Sequence, residues 1–308
     1  MNIRPLDLLD LPNLYRFRGE AISLDSARTL TRGNPLGAMG LLSYINPARH
    51  IYSAVANGDG AFLVGGVSHT RGEPFAKLLY LAPSSHLDHP DLPALIENLS
   101  SEAGTWGAFH VLAEVDETSD AFPALRVAGF SVYAWQRMWD VSEIASFTGV
   151  TGASSVFDWT RAKDEDLPAI QSLYHQIVPP LLHPVESIPQ RAIGFICNEE
   201  VRCYVSLFSG MIGILLTPLI HPEATKVGVK LSSLVGNLPN RGARPVYLCV
   251  RSYQAWLEPV LADLGAKAAA RQAVMVKHLA RLVKEEQTVK AVQPAGVSVQ
   301  PSRVETKE

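Results

Sequence analysis

The chain has 308 residues, 47% of them hydrophobic and 19% charged, with a formal net charge of −3. That is the composition of a globular protein with a substantial core, and so small a charge leaves no electrostatic footprint for nucleic acid or an anionic membrane as partner. No stretch is apolar for long enough to span a bilayer, and Met1–Asp7 lacks the basic and apolar regions of a secretory signal, so the expected compartment is the cytoplasm.

At roughly 150 residues per domain, this length predicts two domains. Cys197, Cys203 and Cys249 are too few for a disulfide framework and lack C-x-x-C spacing, so they read as small apolar residues in strands. In chain order, a short strand around Arg4 leads to Asp10-Leu11-Pro12 and an apolar-periodic run through Leu14 and Phe17. Asp at a helix N-cap accepts from unpaired N–H groups, and Pro in the first turn lacks an N–H that would be unpaired anyway. Strands follow at His50–Ala56, Ala61–His69 and Phe75–Leu81, joined by Asn57-Gly58-Asp59-Gly60 and Thr70–Pro74, where Asn and Gly tolerate positive φ. Then come a helix over Leu92–Gly104, a strand over Phe109–Val115, a helix over Phe122–Ala128 closed by Gly129, and a strand over Ser131–Asp140. The aromatic run Tyr133–Trp139 reads as sheet face and core.

The small, polar, glycine-containing stretch Ser142–Ser155 reads as a linker. Beyond it the pattern starts again. Arg161 precedes Asp166-Leu167-Pro168 and an apolar run through Ile170, Leu173 and Ile177. Strands over Ala192–Cys197, Val201–Phe208 and Met211–Leu219 form a second meander, with turns at Asn198-Glu199-Glu200 and Ser209-Gly210. A helix over Val229–Val235, a strand over Val246–Val250, a helix over Ala255–Leu264 closed by Gly265, and a strand over Ala268–His278 complete it. After about Glu285 the chain turns polar and loses periodicity, as a disordered tail does. Each half therefore reads β, α, three antiparallel β, α, β, α, β, which predicts a mixed α/β (α+β) sheet with helices on its faces. The expected division is 1–141, a linker over 142–156, 157–284, and a tail over 285–308.

This order, together with Val246–Gln254 running into the helix that ends Leu264-Gly265-Ala266, resembles the GNAT (Gcn5-related N-acetyltransferase) superfamily. Glu114–Thr118, leading through Leu125 to Ala128-Gly129-Phe130, is the matching piece of the first half. The resemblance implies two tandem, degenerate acyl-CoA N-acyltransferase modules. It also implies acetyl-CoA as cosubstrate, held where two parallel strands splay apart, with its pyrophosphate on a helix N-terminus. The acceptor would be a small-molecule or protein amine.

The family's phosphate loop is [Gln/Arg]-x-x-Gly-x-[Gly/Ala]. In the second half Thr225 and Lys230 replace its first and last members and Gly228 is kept, so the implied cofactor-binding residues are Leu219, Ile220, Thr225, Lys226, Val227, Gly228, Val229, Lys230 and Gln254. Lys226 and Lys230 are able to pair with phosphate as point charges. In the first half the same place, Leu81–Asp91, has no glycine and carries two acids. There His86, Asp88, His89 and Asp91 read as a capped loop in place of a metal site. Leu125 and Leu261 stand where the family has its acid Tyr, and leucine transfers no proton. Thr118 and Gln254 stand where it has Asn. The catalytic base is not assigned; Glu199, Glu200, Tyr204, His221 and Tyr253 are candidates, but the two glutamates read first as an exposed turn, Tyr204 as core and His221 as structural. Activity, if present, is expected in the second half. The alternative is an inactive GNAT fold serving as a ligand- or protein-binding module.

Overall fold

A computed structural model describes residues 2–37, 49–58, 61–144, 159–197 and 202–279. The first half runs β1 (Asn2–Pro5), α1 (Leu11–Arg16), β2 (Ile22–Ser23), α2 (Ser26–Arg32), β3 (Arg49–Gly58), β4 (Ala61–Thr70), β5 (Phe75–Ala82), α3 (Leu92–Thr105), β6 (His110–Asp116), α4 (Ala121–Val127) and β7 (Ser131–Asp140). The second runs β8 (Trp159–Arg161), α5 (Leu167–Ile177), β9 (Gly194–Cys197), β10 (Cys203–Ser209), β11 (Ile214–Ile220), α6 (Val227–Gly236), β12 (Val246–Arg251), α7 (Leu257–Asp263) and β13 (Lys267–His278). The turn residues Asp59–Gly60 and Asn198–Glu200, most of the predicted linker and the predicted tail lie outside the described residues.

Local sequence accounts for most elements. In α3 the buried residues Leu92, Leu95, Ile96, Leu99 and Ala103 recur at helical spacing and cover one face of the sheet. Gly129 and Gly265 take φ of 89° and 78° just beyond α4 and α7, the left-handed closure expected of glycine there. Two expectations are corrected. Asp10 and Asp166 stand at the N-cap positions of α1 and α5 but make no side-chain cap bond to those helices. Each reaches backward to the chain three residues earlier, accepting from the Asp7 and Lys163 backbone N–H at 2.9 and 2.8 Å. Both aspartates close a 3-10 turn that precedes the helix. Asp10 also takes two hydrogen bonds from Arg4 at 2.7 Å, and that guanidinium holds its carboxyl below the usual range. The sequence reading also misses β2 and α2, whose N-terminus is capped by the Asp25 side chain on the Arg28 N–H at 3.2 Å.

The described strands form one sheet, in the order β1-β3-β4-β5-β6-β13-β7-β12-β11-β10-β9-β8, with β2 added to β5. The halves are joined by exchanged strands. β13, the last strand of the second half, lies antiparallel between β6 and β7 of the first, with Gln272 opposite both Asp116 and Gln136. β7, the last strand of the first half, lies antiparallel between β12 and β13, running from Tyr247↔Asp140 to Arg251↔Gln136. The aromatic run on β7 accordingly serves both sides of this seam. Trp139 is buried in the second-half core, Trp135 packs on the first-half core, and Tyr133 packs on a cluster between them.

Two arms reinforce the seam. The C-terminal end of α2 meets the β10–β11 turn, where the Ile212 N–H donates to the Thr31 carbonyl at 3.0 Å. Gly210 and Gly213 allow that approach, since a Cβ on either would strike the Thr31 or Leu30 carbonyl. In return, the segment between α5 and β9 crosses to the first half. There Val185 packs on Phe75, Leu112 and Val276, and the Ser187 hydroxyl donates to Glu73 at 3.1 Å.

Candidate cofactor clefts

Parallel strands that diverge expose backbone groups along both walls of the gap, and this fold has two such places. β11 and β12 pair over Ile214–Leu216 against Val246–Leu248 and then part. β5 and β6 pair over Phe75–Lys77 against His110–Leu112 and then part. Each half thus forms the cleft in which a thioester cofactor was expected.

In the second half the cleft is occupied by Gln254. Its amide Nε2 donates to the Pro218 carbonyl at 2.8 Å, and its Oε1 accepts from the Ile220 N–H at 3.0 Å. The side chain is buried, so both bonds are sheltered from water. A side-chain amide here does what a neighbouring strand would do, satisfying one acceptor and one donor of β11. Pro218 offers no N–H, so β11 presents no backbone donor to the cleft at that position.

The phosphate loop of this half is partly open. Thr225 and Lys226 are exposed, and Lys226 adopts φ 54°, ψ 35° as the residue before α6. Val229 is half exposed, while Val227 and Lys230 turn inward. The Lys230 charge acts on the buried Cys203 thiol, which burial pushes up to about 11. Lys230 therefore faces the core and not an incoming phosphate. Packing does not demand glycine at 228: a Cβ there would sit 3.4 Å from Val260 Cγ1 on α7, an ordinary contact. Leu219 and Ile220 are buried in cores on opposite faces of the sheet.

In the first half the occupant is a piece of backbone. β2 pairs antiparallel to β5, Ile22 opposite Leu81 and Ser23 opposite Tyr80. Leu24 then bridges the two diverging strands, donating to the Leu79 carbonyl and accepting from the Glu114 N–H, each at 2.9 Å. Leu79 and Pro218 stand two residues beyond the last paired residues Lys77 and Leu216, so the same carbonyl is satisfied from within the chain in both halves. The loop from Leu81 to Asp91 leads into α3 without the expected side-chain cap: Asp91 stands at the N-cap but makes no cap bond, and its N–H donates to His89 Nδ1 at 3.2 Å.

The remaining candidates fall into structural roles. Leu125 and Leu261, at the places of the family's acid, are fully buried in the two cores. Tyr204 is core, its hydroxyl donating to the Ile193 carbonyl at 2.9 Å, and burial pushes it up to about 12. His221 Nδ1 accepts from the Glu223 N–H at 3.2 Å. Burial, then Glu186, raises Tyr253 far above the usual tyrosine range, which makes it a poor base at neutral pH. Glu199 and Glu200 lie outside the described residues, and Thr118 is exposed.

What sequence reasoning missed is a charged cluster on the seam: Lys77 on β5, Glu114 on β6, Arg251 at the end of β12, and Glu186 on the crossing segment. The signal was available, since Lys77 and Glu114 are single charges inside otherwise apolar strands, Phe75–Ala82 and Val111–Val115.

The mixed sheet, with a splay in each half and helices on its faces, is the GNAT acetyltransferase fold in tandem. The chain is similar to the tandem GNAT protein from the clavulanic acid biosynthesis pathway, with a TM-score of 0.52 at 15% identity over 90% of this chain and 98% of that one. It is also similar to a GCN5-related N-acetyltransferase from Sphaerobacter thermophilus, with a TM-score of 0.51 at 13% identity over 90% and 95%. No family profile matches the chain, and no curated protein matches it significantly in sequence. Likeness at these identities defines the fold, and acyl transfer is a chemistry this scaffold supports. No helix among the described residues is long and apolar enough to cross a membrane.

Proposed function

We propose that this tandem GNAT fold works as a ligand-binding protein and does not turn over acetyl-CoA in the family's usual cleft. The observation that carries this reading is the internal occupation of both clefts at equivalent carbonyls, by Leu24 on Leu79 and by Gln254 on Pro218. A cofactor entering either cleft must break buried hydrogen bonds, which costs about 1–3 kcal/mol for each group left unsatisfied. The two leucines in the acid positions and the inward-facing Lys230 add to it. The proposed units remain 1–141 and 157–284, working through their shared seam, and three buried free thiols suit a cytoplasmic setting.

The second reading is acyl transfer from acetyl-CoA to a small-molecule or protein amine in the second half. The exposed Lys226 at the start of α6 favours it, because helix N-termini and a nearby ammonium attract phosphate. Calorimetric titration with acetyl-CoA separates the two. The binding-protein reading expects no heat of binding in the millimolar range. Sub-millimolar binding that is lost in Lys226→Glu, together with release of free CoA when amines are added, would overturn it.

A further inference from the structure

The seam holds an open pocket of about 280 Å³, walled by Lys77 and Glu114 from the first half, Arg251 and Glu186 from the second, with Tyr133 and Phe75 beside them. This is smaller than the roughly 300–1,000 Å³ of sites for drug-sized molecules, so it suits a small metabolite. Buried charges are costly unless each finds a partner, so the bonding state of each wall group decides what the cavity takes.

Most of the wall is satisfied from within. Glu114 Oε2 accepts from the Ser26 N–H at 3.0 Å. Arg251 Nη1 donates to Gln136 Oε1 at 2.6 Å, and its Nε faces Glu186 Oε1 at 3.3 Å. Gln136 in turn donates to Gln272, which also receives the Ser26 hydroxyl, so the network crosses the exchanged strands. Two groups stand apart. Among the described residues the Lys77 ammonium has one ion pair, with Asp25 Oδ1 at 3.6 Å, too long for a hydrogen bond. Its side chain keeps 37% of its surface open although β5 is an interior strand, because it faces the cavity. Glu186 Oε1 is buried and, although ion-paired with Arg251 Nε at 3.3 Å, accepts no hydrogen bond. Burial raises the Glu186 carboxyl, opposed first by Arg251 and then by Lys77 and a hydrogen bond from Tyr133.

We infer that the seam cavity binds a small zwitterion of free-amino-acid size, its carboxylate on Lys77 and its ammonium on Glu186. A simple anion would meet Lys77 and Arg251 but also Glu73, Glu114 and Glu186 on the same wall, and a simple cation would leave Lys77 with only its 3.6 Å pair to Asp25. A molecule carrying both charges a few bonds apart satisfies the two under-coordinated groups together. The site needs both halves, since each supplies one of them. This inference rests on the ligand-binding reading above and names the ligand class.

The test uses the full-length protein with glycine, L-alanine and L-serine as probes, and ethylamine and propionate as partners that each keep one charge. Calorimetry is expected to give sub-millimolar binding of at least one amino acid, with the single-charge probes at least ~10-fold weaker, about 1.4 kcal/mol. Lys77→Met and Glu186→Gln are each expected to weaken binding at least tenfold; thermal melts verify folding, and either variant alone suffices if the other fails to fold. The inference is overturned if none of the three amino acids binds, if ethylamine or propionate binds as well as they do, or if binding survives in a folded variant. Acetyl-CoA run in parallel keeps the two readings distinguishable. Acetyl-CoA turnover would sink the binding-protein reading and remove this inference's footing, whereas amino-acid silence without acetyl-CoA turnover would sink only this inference.

Discussion

Single residues in this chain have reasons that their type alone conceals. Gly228 resembles a phosphate-loop glycine in sequence, yet its nearest obstacle is the Val260 side chain of α7 at 3.4 Å. Gly213 carries no motif, yet a Cβ there would collide with the Leu30 backbone carbonyl. A side chain shifts more cheaply than backbone, so the two alanine variants should differ sharply. Gly228→Ala is expected to change stability by less than about 1 kcal/mol, and Gly213→Ala to cost about 2–3 kcal/mol or more. Urea denaturation midpoints at constant m-value measure both. Equal costs would mean that the α2–β11 contact is not rigid. Gln254 shows how far a sequence reading reaches: its position identified the loop and its amide a polar role, but its partners, Pro218 and Ile220, come from a strand 34 to 36 residues away.

At the level of elements, helices and strands were legible because their residues repeat at 3.6 or 2, and turns because Gly, Asn and Pro mark them. The missed β2 has two residues and α2 has seven, too short for either period to stand out. The order of strands was not legible for a different reason. Alternation specifies which face a side chain takes and says nothing about which strand lies alongside. β7 and β13 were each found within a residue of their ends, yet nothing in Ser131–Asp140 marks it as a neighbour of β12. That placement has a consequence for dissection. A fragment ending near residue 141 leaves β6 and β7 without the strand between them, and unpaired edges recruit other chains. Residues 1–141 expressed alone are expected to aggregate, as followed by light scattering, whereas a monodisperse, folded fragment would mean that β7 closes on β6 unaided.

At the level of the whole molecule, the exchange makes one cooperative body of two repeats. Each core is bounded by a strand from the other half, and the polar network spans β6, β7, β12 and β13. Chains in which two domains merely touch unfold in separable steps. This one is expected to show a single calorimetric transition, with the van't Hoff and calorimetric enthalpies equal, despite its internal repeat. Two resolved transitions would mean that the seam opens before either core.

The reciprocal placing of β7 and β13 also bears on how such a chain arises and how it comes apart. Each repeat completes the other in the same way, so the arrangement has the logic of a symmetric homodimer whose protomers trade their final strands, with a peptide connection making the pair permanent. Cutting that connection would leave two pieces clasped by hydrogen-bonded strands, able to reassemble from a mixture as a split protein does.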